Sequence, residues 1–211
     1  MSYLSTDLDK PRLLFIHIPK TAGTSVKDWF WKVYSDDGYK AFQHAPISYK
    51  ELRFTDSYKF TIVRNPYSRA VSWYQQALSL ILKNESEKVF KIKGLNRKSW
   101  DKGFDYFIQN FFDRVAANPN EDIPISPATN QLDYISIDGK ILVDKILRFE
   151  KIDEEFQEIE KITKTNFGLG KWKVGPSDNL RDWKKVYTET SKSLIEEIYK
   201  KDFNFFDYGF E

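Results

Sequence analysis

Two strand–loop–helix segments between residues 13 and 82 constrain the fold of this chain more than any other sequence feature. A short, mostly apolar run from Leu13 to Ile18 stops at Pro19, and a second from Tyr58 to Val63 stops just before an Asn-Pro pair. Each run leads through a loop into apolar residues at helical spacing. We therefore predict an α/β fold with a parallel sheet that binds ligands at the carboxyl ends of its strands.

Hydrophobic spacing also predicts where the helices lie. The first helix should bury Val26, Trp29, Phe30 and Val33, with Thr24 or Ser25 as its cap. The second should be capped by Ser68 and carry an apolar face of Ala70, Val71, Tyr74, Leu78, Ile81 and Leu82. The remaining predictions are strands over 39–44 and 141–149, and helices over 48–52, 105–115, 153–165 and 190–199.

Length and charge restrict the classes of protein that fit. A chain of 211 residues with 30% charged and 41% hydrophobic residues is predicted to form one domain over 1–211. The net charge of +2 argues against a polybasic nucleic-acid coat or an acidic tail protein, so no nucleic-acid partner is expected. The lack of cysteine excludes a disulfide framework, and two histidines leave little for a zinc site.

The sequence also bears on where the protein works. No stretch approaches 18 consecutive apolar residues, and the N-terminal apolar run is interrupted by His17. We expect no membrane span and no secretion signal. Cysteine absence agrees with a reducing compartment, so a cytoplasmic location is the expectation. The oligomeric state cannot be deduced from the sequence.

The loop from Pro19 to Ser25 has the composition of an anion site. It lies between a predicted strand and a predicted helix, whose N-terminal N–H groups and dipole attract negative charge. Lys20 adds a point charge, Gly23 permits close backbone approach, and two hydroxyl side chains follow. It is not a Walker A loop, because the lysine precedes the only glycine. Taken alone, it fits either a phosphate site or a capped turn with a solvent-facing lysine.

A second candidate anion loop follows the strand from Tyr58 to Val63. Arg64 places a guanidinium at the strand end, where it can bind a phosphate bidentately, and Ser72 adds a hydroxyl about one turn into the next helix. A P-loop NTPase would usually carry a magnesium-binding aspartate at such a strand end. The two loops together predict a nucleotide with phosphates at both ends, bound without obligatory magnesium.

These loops resemble motifs of a known family. IHIPKTAGTS resembles the 5′-phosphosulfate loop, and VRNPYSRAVSWY the 3′-phosphate motif, of sulfotransferases that use 3′-phosphoadenosine 5′-phosphosulfate (PAPS). QHAPISYKEL, QLDYISIDGKILVDKILRFEKIDEEF and YTETSKSLIEEIYKKDFNFFDYGF resemble later blocks in the same order. The resemblance is strongest to carbohydrate sulfotransferases of the heparan 2-O-sulfating and chondroitin-sulfating type and their bacterial relatives. It covers residues 13–75 and 130–211.

The resemblance implies a P-loop-like α/β fold with a central, mostly parallel sheet flanked by helices. It also implies transfer of a sulfuryl group from PAPS to a hydroxyl of a carbohydrate or of a glycosylated small molecule. Adenosine 3′,5′-bisphosphate would be the product, and no metal would be required. The segment 83–129 is unmatched, and an insert that selects the acceptor would lie there.

Individual roles follow from position in the family motifs. Lys20 would contact the leaving phosphate and the sulfuryl group, and Arg64 and Ser72 would bind the 3′-phosphate. The 5′ end would be held by the rest of the first loop, namely Thr21, Ala22, Gly23, Thr24 and Ser25. His44 matches a histidine proposed as the base, and a neutral imidazole can accept a proton near pH 7. A lone histidine can also be structural, which is the expectation for His17.

Three further residues have weaker assignments. Arg148 could bind the acceptor or form a structural ion pair with Glu150. Ser177 and Arg181, with Asn179 between them, lie in a loop that relatives fold over the cofactor. Two rival functions stay open: a nucleotide-dependent kinase, which predicts ATP binding and magnesium dependence, and a catalytically silent nucleotide- or glycan-binding module, which predicts binding without turnover.

Overall fold

The computed structural model describes residues 2–6, 10–34, 39–42, 56–82, 101–112, 126–170 and 182–210. They belong to two compact units that interleave along the chain. The first, here called the sheet unit, comprises Met1–Arg64 and Gln131–Trp172. The second, the helical unit, comprises Asn65–Asn130 and Lys173–Glu211. That the whole chain forms a single domain stays a prediction.

A mixed sheet forms the centre of the sheet unit. The strands of the described residues are β1 (Ser2–Ser5), β2 (Leu13–Ile16), β3 (Tyr39–Phe42), β4 (Tyr58–Val63), β5 (Ser136–Ile137), β6 (Lys140–Ile141) and β7 (Lys145–Arg148). The main sheet has the order β3-β1-β2-β4-β7. Its strands β2, β4 and β7 are parallel neighbours, whereas β1 is antiparallel to both β2 and β3. All strands of this sheet except β1 therefore run in one direction, which confirms the predicted α/β class.

The described helices follow most of the predicted positions. They are α1 (Gly23–Tyr34), α2 (Pro66–Leu82), α3 (Gly103–Phe111), α4 (Leu132–Ile135), α5 (Ile152–Glu155), α6 (Gln157–Thr163), α7 (Glu189–Ile198) and α8 (Lys200–Phe206). Short 3-10 turns occupy Phe149–Lys151 and Trp183–Val186. The sequence prediction did not separate α5 from α6, and it did not include α4 or α8. The helix predicted over 48–52 lies outside the described residues.

One face of the main sheet is buried under α1, α5 and α6. This core contains Leu13, Phe15, Val26, Trp29, Phe30, Val33, Phe60, Ile62, Leu147, Phe156 and Ile159. The predicted apolar face of α1 is confirmed. Trp29 meets the edge of Phe156 at 5.1 Å between ring centroids. Burial of large apolar side chains contributes about 1.5–3 kcal/mol each, so this core holds the start of α1 firmly at the carboxyl end of β2.

The helical unit begins with a cap that differs from the prediction. α2 begins at Pro66, and the Asn65 side chain accepts a hydrogen bond from the backbone N–H of Tyr67 at 3.0 Å. Ser68 lies inside the helix and donates its hydroxyl to the Asn65 carbonyl at 3.1 Å. The prediction of Ser68 as the cap was wrong, because proline is favoured at the first helical position and asparagine just before it.

The prediction of one strand over 141–149 was also wrong at its start. Ile141 belongs to a hairpin in which β5 and β6 pair, and only Lys145–Arg148 joins the main sheet. The hairpin turns at Asp138 and Gly139, whose φ angles are 50° and 77°. An Asp-Gly pair favours such a tight turn, because both central residues need positive φ. Local turn chemistry therefore overrides the apolar run.

No helix in the described part of the chain is long and apolar enough to cross a membrane.

Candidate functional site

The anion loop between β2 and α1 is tightly wound. Lys20 and Ala22 both have positive φ angles, 72° and 84°, although neither is glycine. Thr21 between them is fully buried and donates its hydroxyl to the Ile18 carbonyl at 2.8 Å. Such backbone conformations cost about 1–3 kcal/mol each and occur often at ligand sites. Lys20 and the start of α1 thus lie at the same end of the sheet, the carboxyl end of β2.

Ala22 ends the loop and begins the helix. Its carbonyl accepts hydrogen bonds from the N–H groups of Ser25 and Val26 at 3.0 and 3.2 Å. Thr24 and Ser25 therefore lie in the first turn of α1, so the prediction that one of them caps the helix was wrong. Thr24 is exposed and Ser25 is nearly buried. The first N–H groups of a helix have no intrahelical acceptor, so this end of α1 can receive an anion.

Gly23 owes its identity to a contact inside the protein. A Cβ atom placed on Gly23 would lie 1.9 Å from Nε2 of His17. His17 is largely buried and stacks on Phe15, with 5.7 Å between ring centroids. This packing agrees with the structural role expected for His17. The packing also explains why residue 23 is glycine. The sequence analysis missed this explanation, because no local pattern indicates that the His17 ring covers that position.

Arg64 lies beside the anion loop within the sheet unit. It follows the last residue of β4, and its Nη1 donates to the Lys20 carbonyl at 3.3 Å. Its guanidinium carbon stands 4.2 Å from the ring centroid of Phe149, within cation–π range. The structure thus brings together Lys20 and Arg64, which the sequence places more than forty residues apart. Phe149 is a contact that the sequence analysis did not assign.

The surroundings of Lys20 strongly lower its pKa. Burial, and after it the charge of Arg64, lower the pKa of Lys20 from 10.5 to about 7. A positive potential of this kind favours a bound anion, which would stabilise the charged ammonium. A strongly shifted group beside a specific charge, at a strand end, is typical of functional sites. The arrangement fits a phosphate or phosphosulfate group.

Arg64 is also fixed through its backbone by a residue that the sequence analysis did not single out. Gln131 is fully buried, and its amide accepts from the Arg64 N–H and donates to the Arg64 carbonyl, each at 2.8 Å. Gln131 appears in the quoted block QLDYIS. A single glutamine carries no signal of such a long-range contact.

The remaining candidate residues lie in the helical unit, at the end of β7 or outside the described residues. Ser72 lies half-buried on α2 in the helical unit, so its role beside Arg64 stays a prediction. Arg148 ends β7, and its backbone N–H donates to the Glu155 carboxylate at 2.6 Å. This contact does not decide between acceptor binding and pairing with Glu150. His44, Ser177 and Arg181 lie outside the described residues.

Part of the second motif serves the helical unit instead. Arg69 is fully buried, donates to the Thr129 carbonyl at 3.0 Å and lies 5.2 Å from the Tyr199 ring centroid. Asn65 donates to the Gly209 carbonyl at 2.8 Å besides capping α2. These residues stabilise the start of α2, whereas Arg64 belongs to the sheet unit and contacts the anion loop there.

A family model decides the family of the protein. The model described as "Sulfotransferase family" matches residues 6–209, nearly the whole sequence. The chain belongs to the sulfotransferase family. No curated protein and no solved structure gives a significant match. Membership supports an enzyme that transfers a sulfuryl group to a hydroxyl acceptor, and it confirms the family seen in the two loops. It does not identify the subfamily.

The described side chains around this site also bear on metal binding. Among the residues that the structure describes, no group of three or more His, Cys, Asp or Glu side chains could hold a metal ion. Lys20, Arg64 and the N-terminus of α1 instead supply cationic and N–H donor groups, which suit phosphate oxygens.

Proposed function

We propose that this sulfotransferase uses PAPS as its donor and a hydroxyl of a carbohydrate or of a glycosylated small molecule as its acceptor. The observation that carries the donor assignment is that Arg64 contacts Lys20, through the Lys20 carbonyl, near the N-terminus of α1. Two cationic side chains on separate strand ends match a nucleotide that has one anionic group at its 5′ end and another at its 3′ position. The carbohydrate acceptor rests on the family resemblance alone.

The residues of the anion loop bind the 5′ end of the donor in this proposal. The ammonium of Lys20 neutralises charge that builds up on the leaving phosphate, and the N–H groups at the start of α1 orient that phosphate. When bound, the donor supplies the electrophilic sulfuryl group. Thr21, Ala22, Gly23, Thr24 and Ser25 form the wall of the 5′ site.

The remaining assignments complete the site. Arg64 binds the 3′-phosphate bidentately, with Ser72 as a hydroxyl donor. His44 accepts the proton of the acceptor hydroxyl, because that oxygen must lose it as the bond to sulfur forms. Ser177 and Arg181 cover the nucleotide, and Arg148 contacts the acceptor. Alignment of the two substrates supplies most of the remaining rate enhancement.

Mass spectrometry of acceptors tests the proposal directly. Candidate saccharides and glycosylated small molecules are incubated with protein and PAPS, and an added sulfuryl group is sought on a hydroxyl. The expected result is transfer that needs both PAPS and Lys20 and proceeds with a chelator present. Phosphoryl transfer from ATP that requires magnesium would support the rival kinase. Bisphosphate binding without transfer to any acceptor would support the silent binding module.

A further inference from the structure

A buried side-chain amide in the sheet unit is bonded to the backbone of Arg64. Gln131 uses both ends of its side-chain amide on this one residue: Oε1 accepts from the N–H, and Nε2 donates to the carbonyl, both at 2.8 Å. The glutamine is fully buried. A side chain that satisfies both backbone groups of another residue replaces a strand partner there.

That replacement occurs where the sheet stops. The parallel pairing of β4 with β7 ends at Val63, which pairs with Arg148. Arg64 is the next residue along the chain, so its backbone lies beyond the last paired position. Gln131, which precedes α4, continues the hydrogen bonding by one residue. The backbone direction at Arg64 is therefore set by Gln131 rather than by the sheet.

The Arg64 side chain is held by different groups. Nη1 donates to the Lys20 carbonyl at 3.3 Å, and the guanidinium lies 4.2 Å from the Phe149 ring centroid. These contacts fix the plane of the guanidinium only if the Cα atom from which it extends is itself fixed. A bidentate contact tolerates about 0.5 Å of displacement before it weakens.

We infer that Gln131 is a positioning residue for the 3′-phosphate: it fixes the backbone of Arg64 so that the guanidinium meets the ligand in bidentate geometry. The inference rests on the proposed function, since it takes Arg64 as the 3′-phosphate ligand. Gln131 itself does not touch the nucleotide. Its effect on binding passes through Arg64 alone, and it is specific to ligands that carry a 3′-phosphate.

The test compares adenosine 3′,5′-bisphosphate with adenosine 5′-monophosphate by isothermal titration calorimetry. Gln131→Met keeps a similar volume but removes both hydrogen bonds. It should lower the ratio of the two affinities about tenfold, mostly through weaker bisphosphate binding, since a misplaced clamp loses part of a charge-assisted contact. Gln131→Glu, which keeps the acceptor oxygen but replaces the donor, carries the same comparison if the Met variant does not fold.

Asn130 provides a matched control. In the helical unit it also bonds two backbone groups, donating to the Ile198 carbonyl at 3.0 Å and accepting from the Asp202 N–H at 3.3 Å. Asn130→Leu should lower thermal stability as the Gln131 variants do but leave the affinity ratio unchanged. An equal fall of the ratio in both variants would overturn the inference, because the effect would then come from general destabilisation.

A double-mutant cycle with Arg64→Ala separates this inference from the proposed function. In the Arg64→Ala background, Gln131→Met should leave the affinity ratio unchanged, since the residue through which it acts is gone. A further fall there would overturn the positioning role, and so would an unchanged ratio in Gln131→Met alone. If Arg64→Ala itself keeps the wild-type ratio, the assignment of Arg64 to the 3′-phosphate is wrong instead.

Discussion

At the scale of single residues, the ionisation of Lys20 should govern anion binding. Burial and the charge of Arg64 lower its pKa to about 7 in the ligand-free protein. A bound phosphate favours the charged ammonium, so the pKa rises in the complex. Affinity for adenosine 3′,5′-bisphosphate should therefore fall above pH 7, by up to about tenfold per pH unit. Calorimetric titrations across this range measure the slope.

A variant with a permanent charge is the control for this prediction. The guanidinium of Lys20→Arg stays charged throughout, because its pKa exceeds about 12. Its affinity should be nearly independent of pH above 7, where the ligand phosphates are already ionised, since their second pKa is about 6. The same slope in this variant as in the wild type would assign the proton to another group.

The proposed base and the phosphate ligand should give different kinetic losses. His44→Ala should leave bisphosphate affinity nearly unchanged and lower turnover by about 100- to 10,000-fold, the usual range for a lost general base. Lys20→Ala should weaken both binding and turnover, because charge on the leaving phosphate grows in the transition state. Steady-state kinetics and calorimetry distinguish the two patterns.

The pH profile of kcat/KM checks the base independently. The wild type should lose activity at low pH, where an imidazole is protonated, and His44→Ala should lack that limb of the profile. An active His44→Ala enzyme with an unaltered profile would show that another residue is the base or that none is required.

Gly23 is a third residue with a sharp expectation. A methyl group there would lie 1.9 Å from Nε2 of His17, so the buried ring must move. Overpacking of this kind costs about 1–3 kcal/mol. Gly23→Ala should lower the denaturation midpoint. The double variant with His17→Ala should lose less stability than the two single variants lose in sum. Thr24→Ala, one position further along at an exposed site, is the control. Additive losses in the double variant would contradict the contact.

At the scale of elements, the sequence predicted what hydrophobic spacing can encode. Val26, Trp29, Phe30 and Val33 gave the buried face of α1, and the apolar run from Tyr58 to Val63 gave all of β4. Hydrophobic spacing did not predict features that depend on turn geometry or on residues distant in the sequence. The Asn65 cap and the hairpin before β7 follow local backbone chemistry.

The same distinction separates the predicted from the unpredicted parts of the site. Lys20 and Arg64 were predicted as site residues, because each follows a predicted strand and so lies at the carboxyl end of the parallel sheet, where such folds bind ligands. Gln131 and Phe149 were not, because nothing in the quoted block that contains them indicates a contact with a residue as distant in the sequence as Arg64. The role of His17 against Gly23 required the positions of both residues in space.

In the hairpin between β5 and β6, the stability cost of replacing a glycine should come from backbone conformation, whereas at Gly23 it comes from a steric clash. A Cβ atom on Gly139 would meet nothing within 4 Å, but the residue has a φ of 77°. Gly139→Ala should therefore cost about 1–2 kcal/mol through backbone strain alone. Gly139→Asn should cost less, because asparagine adopts this conformation more readily. Chemical denaturation measures both, and equal losses would contradict a cost set by φ.

At the scale of the whole molecule, the chain leaves the sheet unit after Arg64 and returns to it at Gln131. The helical unit begins at Asn65 and its first segment ends at Asn130, so that segment is flanked in the chain by Arg64 and Gln131. These two residues are joined by a pair of hydrogen bonds. The hydrogen bonds therefore join the two residues of the sheet unit between which the first segment of the helical unit is inserted in the sequence.

Ligand binding to this site should raise the stability of the folded protein as a whole. A ligand that binds only the folded state at 100 times its dissociation constant contributes about 2.7 kcal/mol. Adenosine 3′,5′-bisphosphate should therefore raise the melting temperature more than equal concentrations of adenosine 5′-monophosphate, because the monophosphate lacks the group proposed for Arg64. Differential scanning fluorimetry with and without a chelator measures this difference. Equal shifts would contradict the two separate phosphate sites, and a strict need for magnesium would favour nucleotide-dependent phosphoryl transfer.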